Sequence, residues 1–147
     1  MNASTLLAIL AGAAVAAQAS MNARLGVLLH SSMWATAIAF GVSCITMLVT
    51  TVFFSQQNPT WSNAHLVPTY LWVTGGSLAA LGVGLFYYLI PHMGIGPMMS
   101  YALCGQLLMA VLFSHFGWFD LPVKPFTIRR ALGVIALLFS IVILNQD

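Results

Sequence analysis

Gln18 and Asn22 stand four residues apart in an otherwise apolar run, so on a helix their carboxamides share one face. Each carboxamide offers two N–H donors and a carbonyl acceptor. Gln106 supplies a third, deep in another apolar run and next to Gly105. Three such groups around one cavity would hold a polar solute through donors and acceptors together. The same groups equally suit hydrogen bonds that only fasten helices to one another, worth roughly 0.6–2 kcal/mol each. Arg24 lies six residues beyond Gln18, about 240° further around a helix. Its guanidinium there is either a counter-charge for an anionic solute or a group that snorkels along its methylene stem to the edge of the apolar layer. Tyr87, Tyr88 and Tyr101 sit a turn or two from a break, Pro91-His92-Met93-Gly94-Ile95-Gly96-Pro97. They can line a pathway, or pack with a satisfied hydroxyl. His92 lies in that break and His115 just before Gly117; each is a proton relay or a hydrogen-bonding group at an interface.

Other chemistries are poorly served. Cys44 and Cys104 both fall mid-run, where a small polarizable side chain packs well, and no Cys-x-x-Cys or His/Cys cluster accompanies them. No metal site and no cofactor are therefore expected. His92, His115 and Asp120 have no helical metal-ligand spacing, and no nucleophile stands beside a base, which argues against an enzyme. A net charge of +2, scattered along the chain, does not suit nucleic acid.

The elements that must position these residues are set by composition. Only 4% of the 147 residues are charged and 61% are hydrophobic, and the mean hydropathy is +0.98. A soluble domain of this size draws its polar shell from about 25% charged residues. This chain has only Asp120, Asp147, Arg24, Lys124, Arg129 and Arg130, so its solvent is lipid. Apolar runs at 5–29, 33–54, 70–90, 98–116 and 128–144 are each near the 20 or so residues a helix needs to cross hydrocarbon. They are apolar all round rather than alternating, which excludes a β-barrel. The last is short unless Arg129 and Arg130 snorkel. The expectation is an all-α integral membrane protein of five transmembrane helices, one domain over 1–147. Small residues over 14–20 resemble a signal-peptidase site, but the cationic segment that should precede it is missing, so the first run is expected to stay.

Punctuation agrees with the runs. Ser31 or Ser32 can cap the second helix, Asn58-Pro59 follows its end, and Pro68 and Pro97 suit first turns. Thr127 marks the start of the fifth helix. Trp34, Trp61, Tyr70, Trp72, Trp118 and Phe126 cluster near span ends, as interfacial aromatics do. Small residues recur every fourth position: Ala8, Gly12, Ala16 and Ser20; Ala35, Ala39 and Ser43; Gly76, Ala80 and Gly84. Close helix packing is expected along at least two of these stripes. Five spans put the termini on opposite sides. Lys124, Arg129 and Arg130 then share the N-terminal side and Arg24 opposes them, a three-to-one bias towards a cytoplasmic N-terminus. So thin a bias also permits insertion in both orientations. No Asp or Glu lies inside a span, which disfavours cation export through a membrane carboxylate and favours a neutral or anionic solute.

Gln18-x-x-x-Asn22-Ala23-Arg24-Leu25-Gly26, the break at Gly94, Gly105-Gln106-Leu107 and His115-Phe116-Gly117 together resemble the YdcZ-type inner-membrane exporters. These are short members of the drug/metabolite transporter (DMT) superfamily, and the likeness runs over about 6–144. It implies a bacterial inner-membrane protein of five helices, equivalent to half of a ten-helix transporter in which two inverted halves enclose a cavity. Gln18, Asn22, Arg24 and Gln106 match the family's characteristic positions. Ser114 stands where the family often has an acid, which weakens a proton-coupling role at that end of the fourth span.

The expected function is secondary transport, as an exporter, of a small organic metabolite or drug-like solute by alternating access in an antiparallel dimer. The partner is a second copy or a paralogous five-helix subunit. No ATP-binding motif is present, so active transport would draw on a gradient. The alternative is a membrane partner or regulatory subunit that transports nothing itself.

Overall fold

The computed structural model describes residues 2–55, 60–120 and 122–146, without the side chains of Trp61, Ser62 and Asp120. In chain order the helices are α1 (Ala3–Leu28), α2 (Ser32–Phe54), α3 (Trp61–His65), α4 (Thr69–Met93), α5 (Ile95–Phe116) and α6 (Ile128–Leu144). Asn58 and Pro59 lie outside the described residues, and no strand occurs among those described. Two compact units divide the chain, residues 1–92 and 93–147.

α1, α2, α4 and α5 are each long and apolar enough to cross a membrane. Their large side chains face outward: Met33 is 81% exposed and Phe54 80%. In water that exposure would be ruinous, while in lipid it is the solvated state. Hydroxyls inside the spans are satisfied without a partner helix. Thr46 donates to the Val42 carbonyl at 2.9 Å, Thr51 to Met47 at 2.7 Å, Thr74 to Tyr70 at 2.8 Å and Ser140 to Ala136 at 2.8 Å. α6 has 17 residues, about 26 Å of helix against roughly 30 Å of hydrocarbon. Four helices therefore meet the length of a span outright, and the fifth expected span is the short one.

In the first unit, α1 and α2 form a tight antiparallel hairpin. His30 takes a left-handed conformation (φ 51°) just past α1. The Ser31 N–H bonds the Gly26 carbonyl at 2.9 Å and the His30 N–H bonds Val27 at 3.1 Å, a Schellman closure. Ser31 then caps α2, its hydroxyl accepting from the Trp34 N–H at 3.3 Å. With the turn this short, the helices touch near it. Ala19, Ala23 and Gly26 are buried on α1, and Ala35 and Thr36 on α2. A Cβ on Gly26 would lie 3.4 Å from Ser32 Cα and 3.5 Å from Ala35 Cβ. α4 reaches α2 through Gly84, where a Cβ would stand 3.3 Å from Thr36 Oγ1.

The expected small-residue stripes need correction. Only their turn-proximal members, Ala35 and Gly84, are close-packed. Ala8, Gly12, Gly76 and Ala80 are exposed, and a Cβ at Gly12 or Gly76 would meet nothing among the described residues. The α1 contact runs instead through Ala19, Ala23 and Gly26, because the hairpin turn fixes where the backbones converge.

The break between the third and fourth long helices is also narrower than the Pro91–Pro97 segment. α4 continues through Pro91 to Met93, and Gly94 alone interrupts the path (φ 87°, ψ 158°), a conformation open only to glycine. Pro91 falls in the last turn of α4, where it offers no N–H to the Tyr87 carbonyl, yet the helix runs on to Met93. α3, inside the expected 55–69 connection, is an added short turn of helix.

In the second unit, α5 ends at a left-handed Gly117 (φ 65°), and the chain turns again at a left-handed Phe119 (φ 59°). The connection to α6 is fastened to the end of α5. The Lys124 N–H donates to the Ser114 carbonyl at 2.8 Å, and the Phe126 N–H to His115 Nδ1 at 3.2 Å. Arg130 Nη1 donates to the Lys124 carbonyl at 2.8 Å. Thr127 caps α6. At the far end, Asn145 Nδ2 donates to Ser100 Oγ at 3.0 Å. α5 and α6 are thus antiparallel and tied at both ends.

Three substitutions test this packing by equilibrium unfolding in detergent. Thr36 is held by its hydroxyl's 2.8 Å bond to the Ser32 carbonyl, so it cannot retreat from a new side chain. Gly84→Leu should lower stability by about 1–3 kcal/mol, while Gly12→Leu, in open space, should stay within about 0.5 kcal/mol of the parent. His30→Gly should raise stability by roughly 0.5–1 kcal/mol by relieving the left-handed backbone. A loss on His30→Gly would show that the side chain matters more than the turn.

Candidate functional site

Three polar side chains meet in the first unit. Asn22 Nδ2 donates to Gln18 Oε1 at 2.9 Å and to Tyr87 Oη at 2.9 Å. The Tyr87 hydroxyl donates in turn to Gln18 Oε1 at 2.8 Å. One helical turn separates Gln18 from Asn22 on α1, so both present to the same neighbour, and α4 brings Tyr87 across. Tyr87 is 2% exposed, and a buried phenol needs such partners, because an unmade hydrogen bond there would cost about 1–3 kcal/mol. The triangle satisfies it.

The triangle leaves capacity unspent. Gln18 Oε1 accepts twice and Asn22 Nδ2 donates twice, which leaves the Gln18 amide N–H groups and the Asn22 carbonyl without a side-chain partner among the described residues. Both residues are half-buried. They border a cavity of about 480 Å³ whose other walls include Val15 of α1, Ile38, Phe40 and Ser43 of α2, and Val83 of α4. A spare donor and a spare acceptor in an apolar chamber suit a small solute carrying a carbonyl or hydroxyl group.

The remaining expected site residues lie elsewhere. Arg24 is exposed on α1 and has no hydrogen bond or ion pair among the described side chains. Gln106 and Tyr101 are exposed on α5, in the second unit. His92 Nδ1 donates to the Tyr88 carbonyl at 2.6 Å and its ring lies 4.6 Å from that of Tyr88. His115 Nδ1 accepts from the Phe126 backbone N–H at 3.2 Å and so anchors the connection to α6. Both histidines act as local hydrogen-bonding groups in this conformation. Cys44 and Cys104 are free thiols.

Helical spacing pairs Gln18 with Asn22, and Tyr87 is a candidate for lining the same cavity from its place near the break. Nothing in the spacing links positions 18 and 87. The Ser100–Asn145 tie was not foreseen either, although Asn145 directly following an apolar run is the kind of helix-end residue that seeks such a bond.

Residues 3–143 match the family model described as "Putative inner membrane exporter, YdcZ". No curated protein and no solved structure matches the chain. The match takes in every helix of both units except the last residue of α6, and with it Gln18, Asn22, Tyr87 and Gln106. Together with the long lipid-facing helices, it makes the chain a multi-pass inner-membrane protein that belongs to the YdcZ family of exporters, transporters rather than enzymes.

Proposed function

We propose that the chain is a five-span half of a secondary transporter that exports a small neutral or anionic organic solute. The observation that carries this is the Gln18–Asn22–Tyr87 triangle, whose unspent donor and acceptor border an apolar cavity within spanning helices. Polar groups are costly in hydrocarbon, so a chain that keeps spare ones beside a cavity has a use for them. None of the three is charged, and no acid lies in a long helix, which fits a solute without a positive charge. The cavity is built by one half only. An inverted partner, homodimeric or paralogous, would complete it, with α6 crossing as the fifth span and Arg129 and Arg130 snorkelling at its end. Gly94, the single-residue link between α4 and α5, is the natural place for backbone rotation during alternating access.

A second reading draws on the same triangle. Its members satisfy one another, as they would if their role were only to fasten α1 to α4 in a partner subunit that moves nothing.

Thermal stability of the purified protein against a panel of neutral and anionic metabolites separates the two. A transported solute at about a hundred times its Kd should stabilise the protein by about 2.7 kcal/mol. That gain should vanish in Gln18→Ala and Asn22→Ala. Stabilisation by no panel member, or stabilisation that survives both substitutions, would leave the fastening role as the reading. The inverted pair has its own test. With Cys44 and Cys104 replaced, a single cysteine at the C-terminus should be labelled from both faces of the membrane in comparable amounts. Labelling from one face only would rule out the dual-topology homodimer and point to an oppositely oriented partner.

A further inference from the structure

A second chamber lies wholly within the unit formed by α5 and α6, with a volume of about 540 Å³. Its walls are apolar, with Leu107 and Val111 from α5 and Val134 and Leu137 from α6. One end is different. There Ser114, Lys124 and Arg130 border it, and no acidic residue does so among the described residues. The three are bonded in sequence: the Lys124 backbone N–H donates to the Ser114 carbonyl, and the Arg130 side chain donates through Nη1 to the Lys124 carbonyl, both at 2.8 Å. That bond fixes the guanidinium at the mouth while using one of its five N–H donors. From this cationic mouth the groove follows α5 back to Leu107 and α6 on to Leu137, seven residues in each case, or about 10 Å. Gly133 opens its floor, since a Cβ there would meet nothing among the described residues.

We propose that this groove is a binding site for an anionic phospholipid of the surrounding membrane. The phosphate sits between Lys124 and Arg130, and an acyl chain lies along the apolar wall over Gly133. The arrangement matches the ligand in two independent ways. Positive charge stands at the end of a spanning helix, at the depth of a headgroup, and the apolar trough descends from it into the hydrocarbon. A snorkelling cation alone would not need the trough, and a gap between lipid-facing helices would not need two cations at its mouth. Arg129, the adjacent cation, does not border the groove, which gives the comparison the test requires.

The test is native mass spectrometry of the full chain in neutral detergent, with phosphatidylglycerol and phosphatidylcholine of identical acyl chains competing for it. The parent protein should retain phosphatidylglycerol preferentially. Lys124→Gln and Arg130→Gln should each reduce that preference about fivefold, and Arg129→Gln should leave it unchanged. Gly133→Leu, which fills the trough without touching a charge, should cut retention of phosphatidylglycerol. Equal retention of the two lipids by the parent would overturn the proposal. So would an equal loss in Arg129→Gln, which would mean diffuse charge attraction, and so would undiminished retention in Gly133→Leu. Displacement by soluble glycerol phosphate at matched concentration would mean a small-anion site in which the trough takes no part. If Arg130→Gln proves unstable because it releases the Lys124 carbonyl, Lys124→Gln and Gly133→Leu still decide the matter.

Discussion

In hydrocarbon, a polar group that finds no partner within the protein finds none at all, and this constraint shapes every contact in the structure. Hydroxyls on the spans turn back onto the carbonyl one turn earlier. The carboxamides on α1 and the phenol on α4 bond one another. Asn145, at the end of α6, reaches both Ser100 and the Ile141 carbonyl. In the first unit the described junctions are made by polar side chains or by very small residues, while in the second the Asn145–Ser100 bond stands beside the buried Met98 and Ile141.

The small residues follow from the same solvent. Lipid gives apolar side chains no reason to leave it, so helices meet where backbones can approach closely enough for dispersion to favour contact. Ala19, Ala23, Gly26 and Ala35 do this near the α1–α2 turn, and Gly84 does it against Thr36. Away from those points the first unit opens, and the chamber beside Gln18 and Asn22 occupies that opening. In the second unit, absent side-chain volume at Gly133 opens a trough in a similar way.

The long helices are legible in the sequence because unbroken apolar runs ending at Ser, Pro or Gly allow little else in a membrane. The shared face of Gln18 and Asn22 is legible too, since helical spacing alone determines it. Which small-residue stripe packs is not, because alanine and glycine are common in such helices and the choice depends on where a turn brings the backbones together. The Schellman closure at His30 makes that choice here, and it uses a residue other than the glycine that ordinarily marks such a turn. Pro91 misleads because proline ordinarily ends or kinks a helix near its own position, whereas α4 runs past it to Met93 and leaves the interruption to Gly94. The bond from Tyr87 to α1 spans a sequence distance that no local pattern encodes.

That bond has a mechanical consequence. Both bonds to α1 converge on one atom of α4, the Tyr87 hydroxyl oxygen. Taken alone that contact is a pivot, and a second point of contact is needed to resist torque. With Gly84 seated on Thr36 one turn earlier in α4, α4 cannot roll about its own axis without breaking both bonds and lifting off α2. The phenol on α1 and the glycine on α2 are thus two separate points of attachment, and a roll of α4 has to release both.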